Sequence, residues 1–117
     1  MLNVSGATRV LVATSPVDLR GSFNRLYGLV VEQLKDDPLS GHLFVFRGRR
    51  GDRVKVLYWD RDGYALWYKR LEKGVFRFPA HGSDAVEVSA ADLGLILEGI
   101  DLRSVKRQKR FALATHG

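Results

Sequence analysis

The sequence predicts an α+β fold in which a four-stranded, mainly antiparallel meander sheet packs with one long helix and a short C-terminal helix. Three observations predict it: a helical stripe of apolar residues in the first third, short apolar runs separated by turns in the middle, and a capped apolar segment near the end. A chain of 117 residues suits one domain. We expect that domain to span residues 1–102. A basic tail that can be flexible follows at residues 103–117.

The long helix is predicted from one stripe of apolar residues at helical spacing, namely Leu19, Phe23, Leu26, Tyr27, Val30, Val31 and Leu34. Ser15 and Asp18 are alternative N-caps, and the choice moves the helix start by about one turn. The Asp36-Asp37-Pro38 sequence is expected to end the helix near Lys35, because a proline disfavours helical geometry at the residue before it. The preceding apolar run, Val10–Ala13, predicts a buried strand that can join an edge of the sheet.

Four short apolar runs joined by turns predict the meander: Leu43–Phe46, Val54–Trp59, Tyr64–Leu71 and Val75–Phe78. The Asp60-Arg61-Asp62-Gly63 sequence is typical of a hairpin turn. Alternation along the second run predicts that Val54 and Leu57 lie on opposite faces. Both faces carry large apolar groups, so we expect the first helix to cover one face, while the other is covered as well or used for binding.

The last helix is predicted from a capping pattern. Residues 80–87 are polar and indicate a loop, and Ser89 then stands three residues before Asp92, a spacing typical of a capped helix start. The apolar side of this helix comprises Leu93, Ile96, Leu97 and Ile100.

The balance of charge favours a polyanionic partner. Lysine and arginine number 19 against 13 acidic residues, which gives a formal net charge of +6, and such an excess favours nucleic acid or an anionic membrane surface. There is no cysteine, so disulfides and thiol nucleophiles are excluded. No secretory leader and no run of about 18 apolar residues occurs. We therefore expect a cytoplasmic protein. A membrane-surface role is not expected either, because Phe111 and Leu113 give the basic tail too little apolar surface.

Several motifs that occur in order resemble one known family. They are Asp18-Leu19-Arg20, His42–Arg53, Leu57–Gly63, Trp67–Gly74 and Leu97–Asp101, and over residues 9–103 the chain resembles the TnpB-type accessory proteins of insertion sequence 66 elements. Leu39 and Leu102 depart from the aromatic residues expected at their positions, which affects local packing alone. The resemblance implies a bacterial protein of transposition and DNA recombination, encoded beside a separate transposase gene.

A cluster of basic residues predicts the DNA contact. Five of them fall between residues 47 and 55, with Asp52 as the lone acid: Arg47, Arg49, Arg50, Arg53 and Lys55. Guanidinium groups donate paired hydrogen bonds to phosphate, so this hairpin tip is suited to a DNA backbone. The alternative is an exposed turn whose charge serves solubility.

Two further basic groups join the predicted site. Lys69 and Arg70 adjoin aromatic residues of the middle strands, whose rings either stack unpaired bases or, more commonly in sheets, pack in the core. The tail contributes Arg103, Lys106, Arg107, Lys109 and Arg110, which either order on DNA or remain a solvated run.

Catalytic and metal sites are not expected. The three histidines are scattered, and the calcium-loop-like Asp60–Gly63 sequence is followed by Tyr64 and Leu71 where oxygen ligands are needed. Most candidate carboxylates sit in predicted turns, where aspartate is common. We therefore expect no enzyme activity, no catalytic residue and no cofactor. The leading hypothesis is a DNA-binding accessory protein of transposition, and the alternative is an adaptor that docks the transposase without binding DNA.

Overall fold

The computed structural model describes residues 8–79 and 82–102. Its elements follow the order β1 (Val10–Ala13), α1 (Phe23–Glu32), β2 (Leu43–Arg47), β3 (Arg53–Asp60), β4 (Gly63–Arg70), β5 (Ala85–Val88) and α2 (Ala90–Leu97). The predicted α+β class is confirmed. The tail at 103–117, with its five basic residues, lies outside the described residues.

Within the described residues, the sheet has five strands in the order β4-β3-β2-β1-β5. Strands β2, β3 and β4 form the predicted antiparallel meander. Strand β1 runs parallel to β2 and antiparallel to β5, so the sheet is mixed. The prediction of four strands was wrong in count, and β1 lies inside the sheet rather than at its edge.

The fourth predicted strand, Val75–Phe78, does not pair with the meander. Phe76 is buried, and its backbone N–H donates to the Gly51 carbonyl at 2.7 Å. This segment therefore crosses the face of the sheet and covers its apolar side chains. Strand β5 pairs with β1 instead, and Val86 and Val88 align with Val12 and Val10. The sequence predicted a loop at residues 80–87.

Helix α1 is shorter than its apolar stripe suggested. The predicted starts at Ser15 and Asp18 were wrong, because Val17 forms a parallel bridge with Gly48 and its N–H donates to the Arg47 carbonyl at 2.8 Å. These contacts hold the chain against the sheet in a loop that precedes the helix. Helix α2 begins as predicted, with the Ser89 hydroxyl accepting from the Asp92 N–H at 3.0 Å.

Two apolar cores lie on opposite faces of the sheet. On the first face, α1 buries Leu26 and Val30 against Phe44, Phe46 and Leu57. On the second face, α2 and the 71–78 segment cover a larger cluster that contains Val54, Val56, Phe76, Leu93 and Ile96. The predicted alternation along β3 is confirmed, and both sheet faces are covered.

Candidate nucleic-acid interface

A groove of about 590 Å³ opens between two loops beside the end of β3. We call it the basic groove. One wall is the loop before α1, the other is the β2–β3 turn, and the floor is formed by β3 and β4. Its lining residues are Val17, Asp18, Leu19, Arg20, Gly21, Gly48, Arg49, Arg50, Asp52, Arg53, Lys55 and Tyr68. Five cations and two carboxylates therefore meet in one concave surface.

The wall before α1 is organised by Asp18. Its carboxylate accepts hydrogen bonds from the Arg20 backbone N–H at 2.9 Å and from the Arg20 guanidinium at 2.8 Å. The hydrogen bond from the guanidinium lowers the pKa of Asp18 well below its usual range. The Arg20 side chain is 91% exposed, so its guanidinium remains accessible at the rim of the groove.

The opposite wall is the β2–β3 turn, which is restrained by several backbone hydrogen bonds. The Gly48 N–H donates to the Arg53 carbonyl at 2.9 Å, and the Leu71 N–H donates to the Asp52 carbonyl at 2.8 Å. Arg49 and Arg50 stand at the tip of this turn and are exposed. The turn thus holds two solvent-accessible guanidinium groups on a restrained backbone, an arrangement suited to binding phosphate.

Arg53 and Asp52 face one another at the base of this turn. The Arg53 Nε and Asp52 Oδ1 atoms are 4.0 Å apart. Both atoms are buried and make no hydrogen bond within the part of the chain that the structure describes. The pair is therefore an ion pair at the distance limit that lacks hydrogen-bond contact.

The floor of the groove carries Lys55 and Tyr68, which are aligned across β3 and β4. The Lys55 ammonium donates to the Leu19 carbonyl at 2.7 Å and to the Gly21 carbonyl at 3.2 Å. It also lies 5.2 Å from the centroid of the Tyr68 ring, within the range of a cation–π contact. Lys55 therefore joins the floor to the first wall.

The other predicted site residues lie elsewhere. The Arg47 guanidinium lies 5.1 Å from the centroid of Phe78, on the α2 side of the sheet, and burial lowers the pKa of Arg47. Lys69 donates to the Leu97 carbonyl at 2.9 Å at the end of α2. Arg70 is exposed and aligned with Arg53. The groove thus brings together Arg49, Arg50, Arg53 and Lys55, but not Arg47 or Lys69.

Sequence reasoning did not assign Arg20, Asp18 or Tyr68 to the site. Arg20 falls within the predicted helix, whereas the structure puts it in the loop that faces the β2–β3 turn. Tyr68 was one of several strand aromatics with no signal to single it out. The proline at position 16 and the glycine at position 21 were the available signals that residues 16–21 form a loop.

A second surface feature is an apolar ridge on α1. Phe23, Tyr27 and Val31 recur every four residues and are 40%, 40% and 45% exposed. We call these three residues the α1 ridge. Leu26 and Val30 serve the core, and the Tyr27 ring lies edge to face with Tyr64 at 5.8 Å, so the ridge is partly exposed apolar surface beside the core.

Within residues 8–79 and 82–102, no group of three or more histidines or carboxylates is placed to hold a metal ion. Across the same residues, neither helix has the length and apolar character needed to cross a membrane.

Comparison with known proteins identifies the family. A family model described as IS66 Orf2 like protein matches residues 8–107. Uncharacterized protein y4jC from Sinorhizobium fredii is 42% identical over 108 residues, which are 92% of each chain. Uncharacterized protein y4hO from the same organism is 44% identical over 103 residues, 88% of this chain and 90% of the relative. No solved structure matches the chain. The chain therefore belongs to the IS66 Orf2-like family.

Proposed function

We propose that this protein is an accessory subunit of insertion sequence 66 transposition that binds DNA of the element's ends and performs no bond-breaking chemistry. The observation that carries the proposal is the convergence of Arg20, Arg49, Arg50, Arg53 and Lys55 on one groove. Family membership supplies the biological process. The groove supplies the chemistry, since clustered guanidinium groups favour binding of a phosphate backbone.

The groove cations have different tasks. Arg49 and Arg50 are exposed at the tip of a restrained turn, so they serve as the main phosphate ligands. The Arg20 guanidinium donates to the Asp18 carboxylate, and the Lys55 ammonium donates to two backbone carbonyls. These two residues shape the groove and add to its positive potential.

The experiment is fluorescence anisotropy with a labelled duplex from a cognate element end, beside a scrambled duplex, across a salt series. Replacing Arg49 and Arg50 together by alanine should weaken binding and make the slope of log K against log salt shallower by about 1.8, since roughly 0.9 is lost per phosphate contact. The matched control replaces Lys73 and Arg77, which are exposed and outside the groove lining, and removes the same charge.

Each outcome has a clear meaning. A slope change confined to the Arg49/Arg50 variant supports the groove as the DNA contact. Equal losses in both double variants would assign binding to net charge rather than to this site. Absence of binding by the wild-type protein to either duplex near physiological salt would reject duplex binding by the isolated chain.

The α1 ridge favours a second candidate function, an adaptor that docks the transposase. Exposed apolar residues at this spacing are typical of a helix face that packs on a partner. Replacing Phe23 and Val31 by serine should abolish co-purification with the transposase and leave the folded structure unchanged. The Arg49/Arg50 variant is the control, because it should still form the complex if the ridge is the docking surface.

A further inference from the structure

We propose that the basic groove accommodates an unpaired nucleotide of DNA, with its base stacked on Tyr68 and its phosphates held by Arg49 and Arg50. This inference rests on the proposed DNA-binding function and deepens it, because it names the form of DNA that the site prefers. It predicts that single-stranded or unpaired ends bind better than a fully paired duplex.

The shape of the site is the first argument. A groove of about 590 Å³ falls within the volume of about 300–1,000 Å³ that is typical of small-ligand sites. Proteins that read duplex DNA insert a projecting helix or ribbon into its grooves. Here the cations line a concavity between two loops, and a concavity of this size is suited to receiving one extruded nucleotide.

The exposed aromatic ring is the second argument. Strands β3 and β4, both fully described, carry five aromatic residues. Tyr58 and Trp67 pack on the α2-side core, and Trp59 and Tyr64 contact each other edge to face at 5.1 Å. Tyr68 is instead 50% exposed and lines the groove. An accessible ring beside cations is the arrangement that single-strand-binding proteins use to stack bases.

The restraint on that ring is the third argument. Lys55 lies over Tyr68 and is itself fixed by hydrogen bonds to the Leu19 and Gly21 carbonyls. A base that stacks on the ring face not covered by Lys55 meets a positioned ring and loses less binding energy to ordering. Arg49 and Arg50 stand across the groove, where phosphates that flank the stacked base would meet guanidinium groups.

The test compares two labelled probes by anisotropy at one low salt concentration: an oligothymidine of about 12 nucleotides and the same strand paired with its complement. The single strand should bind more tightly. Tyr68→Ala should weaken single-strand binding by about 5- to 150-fold, the range that loss of one stacked base produces. Tyr68→Phe should retain binding, since it keeps the ring. Leu39→Ala removes an exposed apolar side chain outside the groove lining and the α1 ridge and is the control.

A second measurement does not depend on variant folding. An oligonucleotide that carries 5-iodouracil should crosslink to Tyr68 of the wild-type protein, with the site mapped by mass spectrometry. Equal binding of both probes with no effect of Tyr68→Ala would overturn this inference and leave the DNA-binding function standing. Tighter binding of the matching oligouridine would overturn the assignment to DNA. No binding of any probe would reject both the inference and the function on which it rests.

Discussion

The Lys55 ammonium donates a 2.7 Å hydrogen bond to the carbonyl oxygen of Leu19 and thereby ties strand β3 to the loop that precedes α1. A second hydrogen bond reaches the Gly21 carbonyl at 3.2 Å. Lysine supplies three donors on a long stem, so one side chain can satisfy two backbone acceptors that would otherwise rely on water. A cation that the sequence suggested as a DNA ligand is therefore engaged in joining the floor of the groove to its first wall.

Replacing Lys55 by methionine should destabilise the fold. The two carbonyls lose their charged donor, and hydrogen bonds to charged groups contribute about 1.5–3 kcal/mol. Arg70→Met removes the same charge from an exposed position and should change stability by no more than about 0.5 kcal/mol. Urea unfolding of both variants is the measurement. Equal midpoints for the two variants would contradict the structural role of Lys55.

Replacing Gly51 by alanine should disturb the β2–β3 turn. Gly51 has φ +82°, a conformation that costs other residues about 1–2 kcal/mol. Its added Cβ would also lie 3.1 Å from Val75 Cγ1. Gly74 has φ +81° with no atom within 4 Å of such a Cβ, so Gly74→Ala isolates the cost of the backbone conformation.

The difference between these two alanine variants measures crowding against Val75. We expect Gly51→Ala to be the less stable by up to about 1 kcal/mol, the lower end of the range for overpacked cores, because Val75 is 40% exposed and can shift. Thermal unfolding followed by circular dichroism compares them directly. If Gly74→Ala is destabilised as much as Gly51→Ala, the contact with Val75 contributes nothing.

The Asp18–Arg20 pair predicts a defined pH dependence. The hydrogen bond from Arg20 lowers the pKa of Asp18 in the folded protein, so the pair stabilises the fold fully above the unfolded pKa of about 3.9. That contribution is lost as pH falls from this value through the lower folded-state pKa. A carbon-13 NMR titration of the Asp18 carboxyl should show the depressed pKa, and Arg20→Met should raise it. An unchanged titration in the variant would mean that Arg20 is not the cause.

Local signals explain which parts of the fold the sequence could predict. The β2–β4 meander follows from short apolar runs and the turn at Asp60–Gly63, and the α2 start follows from the Ser89 cap. The pairing of β1 with β5 joins Val10 to Val88. A contact so distant along the chain leaves no local pattern, and the weakly apolar Ala85–Val88 segment becomes a strand because β1 offers it an edge.

The groove also combines residues predictable from local sequence with residues that only tertiary contacts bring together. Arg49, Arg50 and Arg53 are neighbours in sequence, so their clustering could be predicted. Arg20 and Tyr68 reach the same groove through tertiary contacts between separate segments. The apolar spacing that begins at Leu19 also extended the predicted helix too far, because a residue that packs on the sheet from a loop has the same apolar character as one on a helix.

Lys69 tests whether basic residues on the α2 face of the sheet have a role separate from those of the basic groove. Its ammonium donates to the Leu97 carbonyl at 2.9 Å, and a cation at a helix C-terminus is favoured by the helix dipole. Lys69→Met should therefore destabilise the fold by about 1–3 kcal/mol while changing DNA affinity at moderate salt by roughly two-fold or less. Lys73→Met, an exposed change outside the groove lining, controls for the lost charge and should affect neither property strongly. A Lys69→Met protein of normal stability that binds DNA far more weakly than Lys73→Met would place Lys69 in the DNA contact and extend the interface to the α2 face of the sheet.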